Sequence, residues 1–189
     1  MSITVIYSNF GDPDTELLRG IWQNIPDVHL VEIRHGDEDY EHVVDAAIEA
    51  EDDTIIFAGH GTSCGLLYPD LSRGEYILHE NNVGLIHANR VVCVWCFASE
   101  FCRANDLHNC FCTGMFISNI NEAMEIFSHC DDDTESDITD TEIRFCNSLN
   151  HLLTSNMPIT EWADGYFLAG NFHRNAVEDF NYDGLMSLE

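Results

Sequence analysis

Hydrophobic residues follow two rhythms along this chain. Short apolar runs at 3–7, 28–33, 54–58, 91–95 and 111–117 read as strands, while the stretches between them carry apolar residues every three or four positions, the spacing of a helix face. Asp12 and Asp14 precede Leu17, Leu18, Ile21 and Trp22, which predicts a helix with acidic residues at its positive end, stopped by Pro26. Val43, Val44, Ala47 and Ile48 mark a second helix. Further helices are predicted over 98–107, 122–127 and 141–153, the last from Ile143, Phe145, Leu149, Leu152 and Leu153, with shorter ones over 82–87 and 160–167. The Gly- and Pro-punctuated segment 62–73 reads as loop, and the acidic, weakly hydrophobic segment 131–140 as an exposed loop. Residues 171–189 show no period.

Strands alternating with helices predict a three-layer α/β fold, a mostly parallel central sheet with helices on both faces, because parallel neighbours need long crossovers. The uninterrupted apolar run at 54–58 belongs in its buried centre. With 189 residues, a single domain over 1–189 is expected.

Charge narrows the partners. Thirty-four acidic residues stand against seven basic ones, a formal net charge of −27, and all seven cations are Arg. That argues against direct contact with nucleic acid or an anionic membrane, both of which need a cationic face. No apolar run approaches the ~20 residues of a membrane span, and residues 1–8 have neither the basic start nor the apolar stretch of a secretory signal. A cytoplasmic location is expected. The eight Cys, at 64, 93, 96, 102, 110, 112, 130 and 146, lie mostly within apolar segments and read as reduced thiols.

In an open α/β sheet, ligands bind beyond the carboxyl ends of the strands. His60 follows the run 54–58 between Gly59 and Gly61, and Cys96 follows the run 91–95. If those strands are neighbours, ~4.8 Å apart, an imidazole and a thiol emerge side by side, as a cysteine nucleophile with a histidine base requires. Cys93, three residues earlier on an extended strand, faces the other way and is expected in the core.

The segment Phe57-Ala58-Gly59-His60-Gly61, followed after an apolar strand by Trp95-Cys96-Phe97-Ala98-Ser99, resembles the caspase-like cysteine peptidases, the group of caspases, gingipains, clostripain and the CHAT-type proteases. There the histidine ends one central strand and the nucleophilic cysteine the next. The resemblance covers about 3–167. It implies peptide hydrolysis through an acyl-enzyme on Cys96, with His60 moving protons and the N–H of Gly61 and Cys96 facing an oxyanion. Two positions before the cysteine, where members that cut after basic residues carry an acid, this chain has Val94. Asp12, Asp70, Trp95 and Glu100 are the candidates for a substrate pocket. The negative charge leans toward basic peptides or proteins as substrates.

No cofactor and no metal is expected. Cys110 and Cys112 with His108 form the nearest ligand group, but the sequence supplies no second pair beside them. Two other readings stand beside the peptidase: a caspase-like binding or scaffold module without turnover, suggested by Trp95 and Val94, and an acidic decoy for a nucleic-acid-binding protein, suggested by the charge.

Overall fold

Seven consecutive buried residues, Ile3–Asn9, form strand β1, the second strand from one edge of the main sheet in the computed structural model, which describes residues 2–50, 52–131, 133–165 and 175–189. In chain order there follow helix α1 (Pro13–Leu17), β2 (Val28–Arg34), α2 (Tyr40–Ile48), β3 (Thr54–Ala58), the short strands β4 (Gly61–Thr62), β5 (Gly65–Leu67) and β6 (Tyr76–Leu78), β7 (Arg90–Val94), α3 (Ala98–Ala104), β8 (Cys110–Cys112), α4 (Ile120–Ile126), α5 (Thr134–Thr154), α6 (Trp162–Gly165), α7 (Ala176–Asp183) and β9 (Met186–Leu188).

The main sheet runs β2-β1-β3-β7-β8-β9, with β9 antiparallel and the others parallel. Alternation along each strand sends its side chains into two cores. Ile6, Ile55, Phe57, Val91 and Cys93 meet α2 and α3 on one face. Val5, Tyr7, Ile56, Val92 and Val94 meet Leu18, Ile21 and the α5 residues Phe145, Leu149 and Leu152 on the other. The α/β sandwich with helices on both faces is therefore present. No helix among the described residues is long and apolar enough to cross a membrane.

Several expectations are corrected. Segment 131–140 is not a loop throughout: α5 begins at Thr134 and carries Glu135 and Asp137 in its first turn. Acidic residues favour a helix start by about 0.3–1 kcal/mol each, and burying Ile138, 3 % exposed, adds about 1.5–3 kcal/mol that an exposed loop forgoes. The buried stripe of α5 is Ile138, Glu142, Phe145, Leu149 and Leu152, whereas Ile143 is exposed. The strand expected over 111–117 ends at Cys112, and the segment 62–73 contributes to a three-stranded antiparallel sheet of β4, β5 and β6. Residues 166 and 167 of the helix expected over 160–167 lie outside the described residues, as do 171–174 of the aperiodic tail. The rest of that tail forms α7 and the antiparallel edge strand β9.

Candidate functional site

The site lies where β3 and β7 end. Their register pairs Ala58 with Val94, so His60 and Cys96 each stand two residues beyond the last matched pair of adjacent parallel strands. Both line one cavity of about 30 Å³, together with Asp14, Phe116, Ser118 and Glu142. That volume holds one water but no substrate side chain.

Sharp turns deliver both residues. Gly59 has φ +148, a conformation closed to other residues, and a Cβ there would press on Ser8. Beyond Cys96, Phe97 has φ +66, and α3 starts immediately after it. A left-handed bulky residue is a strained way to turn from strand to helix, and it lifts the preceding residue to the tip of the bend. Thr113 secures that bend: its Oγ1 accepts from the Trp95 N–H at 3.1 Å and donates to the Trp95 carbonyl at 2.7 Å. The N–H groups of Phe97, Ala98 and Ser99 are bonded to Gly114, Trp95 and Thr113 carbonyls. Among the described residues no such bond engages the N–H of Cys96.

His60 Nε2 lies 2.9 Å from Asp12 Oδ2, and the Phe10 ring stands edge-on to the imidazole with centroids 4.8 Å apart. Asp12 caps α1 through Oδ1, which accepts from the Thr15 N–H at 2.8 Å. Burial works against its charge, but the bonds from Thr15 and His60 outweigh it and hold the carboxyl below the usual carboxylate range. One carboxylate thus ties the end of β1 to the histidine at the end of β3. With Nε2 on Asp12, Nδ1 is the ring nitrogen left for another partner.

Cys96 is largely buried, and its Sγ donates to the Phe116 carbonyl at 3.4 Å. Burial, with the Glu122 carboxylate, pushes the thiol up to about 11, so it is protonated in this state. Glu142, 1 % exposed, reaches the cavity from α5. Burial foremost, then the carboxylates of Asp14, Asp12 and Glu122, raises it to about 9, which keeps it neutral at pH 7. Asp14 is held in turn by Asn119 Nδ2 at 3.2 Å, and Glu122 accepts from the Ser118 N–H at 2.8 Å.

Of the residues singled out from the sequence, His60, Cys96 and Trp95 border the same cavity. The Trp95 indole itself is buried against Phe101 and donates Nε1–H to the Thr62 carbonyl at 3.1 Å, so it supports the site more than it shapes a pocket. Gly61 follows His60 with its Cα against that indole; a Cβ there would overlap the ring. Asp12 belongs to the site as the partner of His60, not as pocket wall. Asp70 accepts from Ser72 and pairs with His35 at 3.5 Å, away from the cavity. Glu100 is an exposed residue of α3, likewise outside it. Glu142 and Asp14 escaped sequence reasoning. The one available signal was a carboxylate in the apolar stripe 138, 142, 145, 149 and 152.

No family model matches the chain, and neither a curated protein nor a solved structure is found to match it.

Proposed function

We propose that this protein is a caspase-like cysteine endopeptidase. The observation that carries the reading is the matched placement of His60 and Cys96, two residues past the Ala58–Val94 pair and on one cavity, with Asp12 2.9 Å from the imidazole. Cys96 Sγ attacks the scissile carbonyl while His60 takes its proton and passes it to the leaving amine. The product is a thioester with the acyl half of the substrate. His60 then draws a proton from water, the hydroxyl adds to the thioester carbon, the C–S bond breaks to release the acid, and His60 returns the proton to Cys96 Sγ. Asp12 fixes the imidazole and stabilises its charged form. The Cys96 N–H, with that of Gly61, faces the developing oxyanion.

Substrates are peptides or proteins, with basic side chains favoured by the carboxylates of Asp14, which lines the cavity, and Glu122, whose charge reaches Cys96. The space near Phe116 and Glu142 is about 30 Å³ and partly open to solvent, so a bound side chain extends beyond it. A second reading has its own observation. A thiol raised to about 11 in a cavity of about 30 Å³ suits a caspase-like binding module without turnover.

The two separate on labelling with a peptidyl acyloxymethyl ketone ending in Arg, read by mass spectrometry at each Cys. The peptidase reading expects one label, on Cys96, strongly slowed in His60→Ala. Equal labelling of Cys96→Ala, or none on Cys96 across a peptide series, overturns it.

A further inference from the structure

On the face of β7 opposite Cys96, four thiols converge that no step above uses. Cys93 on β7 pairs in register with Cys112 on β8, and Cys110 lies two residues earlier on the same face of β8. Cys102 comes down onto them from α3, and all four are buried in one apolar cluster with Phe101. The sulfurs of Cys93, Cys102 and Cys110 lie within 4.8 Å of one another, and those of Cys102 and Cys110 are 3.6 Å apart. Cys112, the nearest further thiol on that face of β8, donates its Sγ–H to the Met186 carbonyl at 3.7 Å.

We propose that Cys93, Cys102 and Cys110, with Cys112 as the neighbouring thiol that completes the set, form a binding site for a thiophilic d10 cation, Zn²⁺ being the ion used to test it. Zn–S bonds of about 2.3 Å in a tetrahedron place neighbouring sulfurs about 3.8 Å apart, inside the range of 3.6 to 4.8 Å spanned by the sulfurs of Cys93, Cys102 and Cys110. Two strands and a helix supply the ligands, so the fold presents them together although the sequence separates them. Sulfur-only coordination selects Zn²⁺ over Mg²⁺ or Ca²⁺, which prefer oxygen. His108, the neighbour the sequence suggested, is not part of the group: its Nδ1 faces the Glu189 carbonyl at 2.5 Å.

The thiols start protonated where burial dominates, as at Cys93. Binding breaks the S–H bonds, forms Zn–S bonds and releases one proton per ligating thiol to solvent, with no oxidant involved. The Arg103 guanidinium acts on Cys112 and offsets part of the charge that four thiolates leave after Zn²⁺ is counted. Because the cluster is closed to solvent, the ion enters while the chain folds.

The test is to refold the full chain under reductant with and without Zn²⁺, measure released protons and Tm with free Zn²⁺ present, and then remove free metal and measure bound zinc. The expected result is one Zn²⁺ per chain, three or four protons released, and a Tm raised by roughly 5–10 °C when free Zn²⁺ is about 100-fold above Kd. Co²⁺ in place of Zn²⁺ shows strong sulfur-to-metal charge-transfer absorption. Cys102→Ala and Cys110→Ala lose the ion, whereas Cys64→Ala combined with Cys130→Ala keeps it. The proposal is overturned if the wild-type chain retains no zinc, or if Cys102→Ala and Cys110→Ala retain it. Where those variants fail to fold, wild-type Co²⁺ spectra without the sulfur band, or fewer than two protons released, place the ion on carboxylates and overturn it equally. None of these readouts depends on peptidase activity.

Discussion

Cys96 and the Cys93 group lie on opposite faces of one sheet, and they differ in everything except the element sulfur. Cys96 is a single thiol beside a histidine, a neutral glutamic acid and several carboxylates, at the tip of a strained turn. The Cys93 group is four thiols with an apolar shell and no acid or base among them. What a cysteine can do is thus decided by its neighbours. A proton acceptor beside one sulfur makes a nucleophile, and several sulfurs without one make a ligand set.

The largest expected effect separates the two faces by rate. His60→Ala slows attack of Cys96 on a peptidyl electrophile by roughly 10²–10⁴-fold, while Cys93→Ala leaves that rate unchanged; second-order labelling rates read both. If Cys93→Ala slows labelling as much, the faces are coupled and the contrast is lost. Next comes the pH profile. With the Cys96 thiol raised to about 11, its alkylation by iodoacetamide accelerates roughly tenfold per pH unit from 7 to 10, in proportion to thiolate. A plateau reached by pH 8 means that Cys96 is ionised as a pair with the His60 imidazolium and is not held protonated by burial.

A smaller effect concerns Glu142. Its folded-state pKa of about 9 lies above the ordinary 4.5, so the folded chain holds a proton that the unfolded chain releases between those values. Its contribution is fully present below pH 4.5 and is lost as pH rises to about 9. Glu142→Gln, neutral at every pH, is therefore more stable than wild type at pH 8, by a few kcal/mol, and the two converge near pH 4. Denaturant midpoints across that range check it; equal midpoints at pH 8 show that Glu142 does not hold its proton. Gly61→Ala has the smallest expected effect. The Cβ overlaps Trp95 and costs about 1–3 kcal/mol, which Trp95→Phe relieves in part if the indole is the obstacle.

The β3 and β7 ends were legible because unbroken apolar runs stop at His60 and Cys96. The α/β layering was legible for a related reason, the alternation of those runs with helical spacing. Asp12 was noticed as an acid but not as the histidine's partner. That role depends on β1 lying beside β3, and strand order is set by long-range packing that no local pattern records. Glu142 was masked by its own neighbour: Ile143 completes an equally good helical period, and only contact with β1, β3 and β7 determines which of the two turns inward. The sulfur cluster was hidden more deeply, since Cys93, Cys102 and the pair Cys110 and Cys112 come from three elements.

The spacing of Cys93 and Cys96 also bears on how this chain tolerates change. An insertion or deletion of one residue within β7 turns every later side chain of the strand to the other face. It would carry a valine to the position of one cysteine and move the second out of line with His60, erasing both chemistries at once. Substitutions along β7 are thus graded in their effect, whereas changes of its length are all-or-nothing, and related chains are expected to vary in the loops on either side of this strand before they vary in its count.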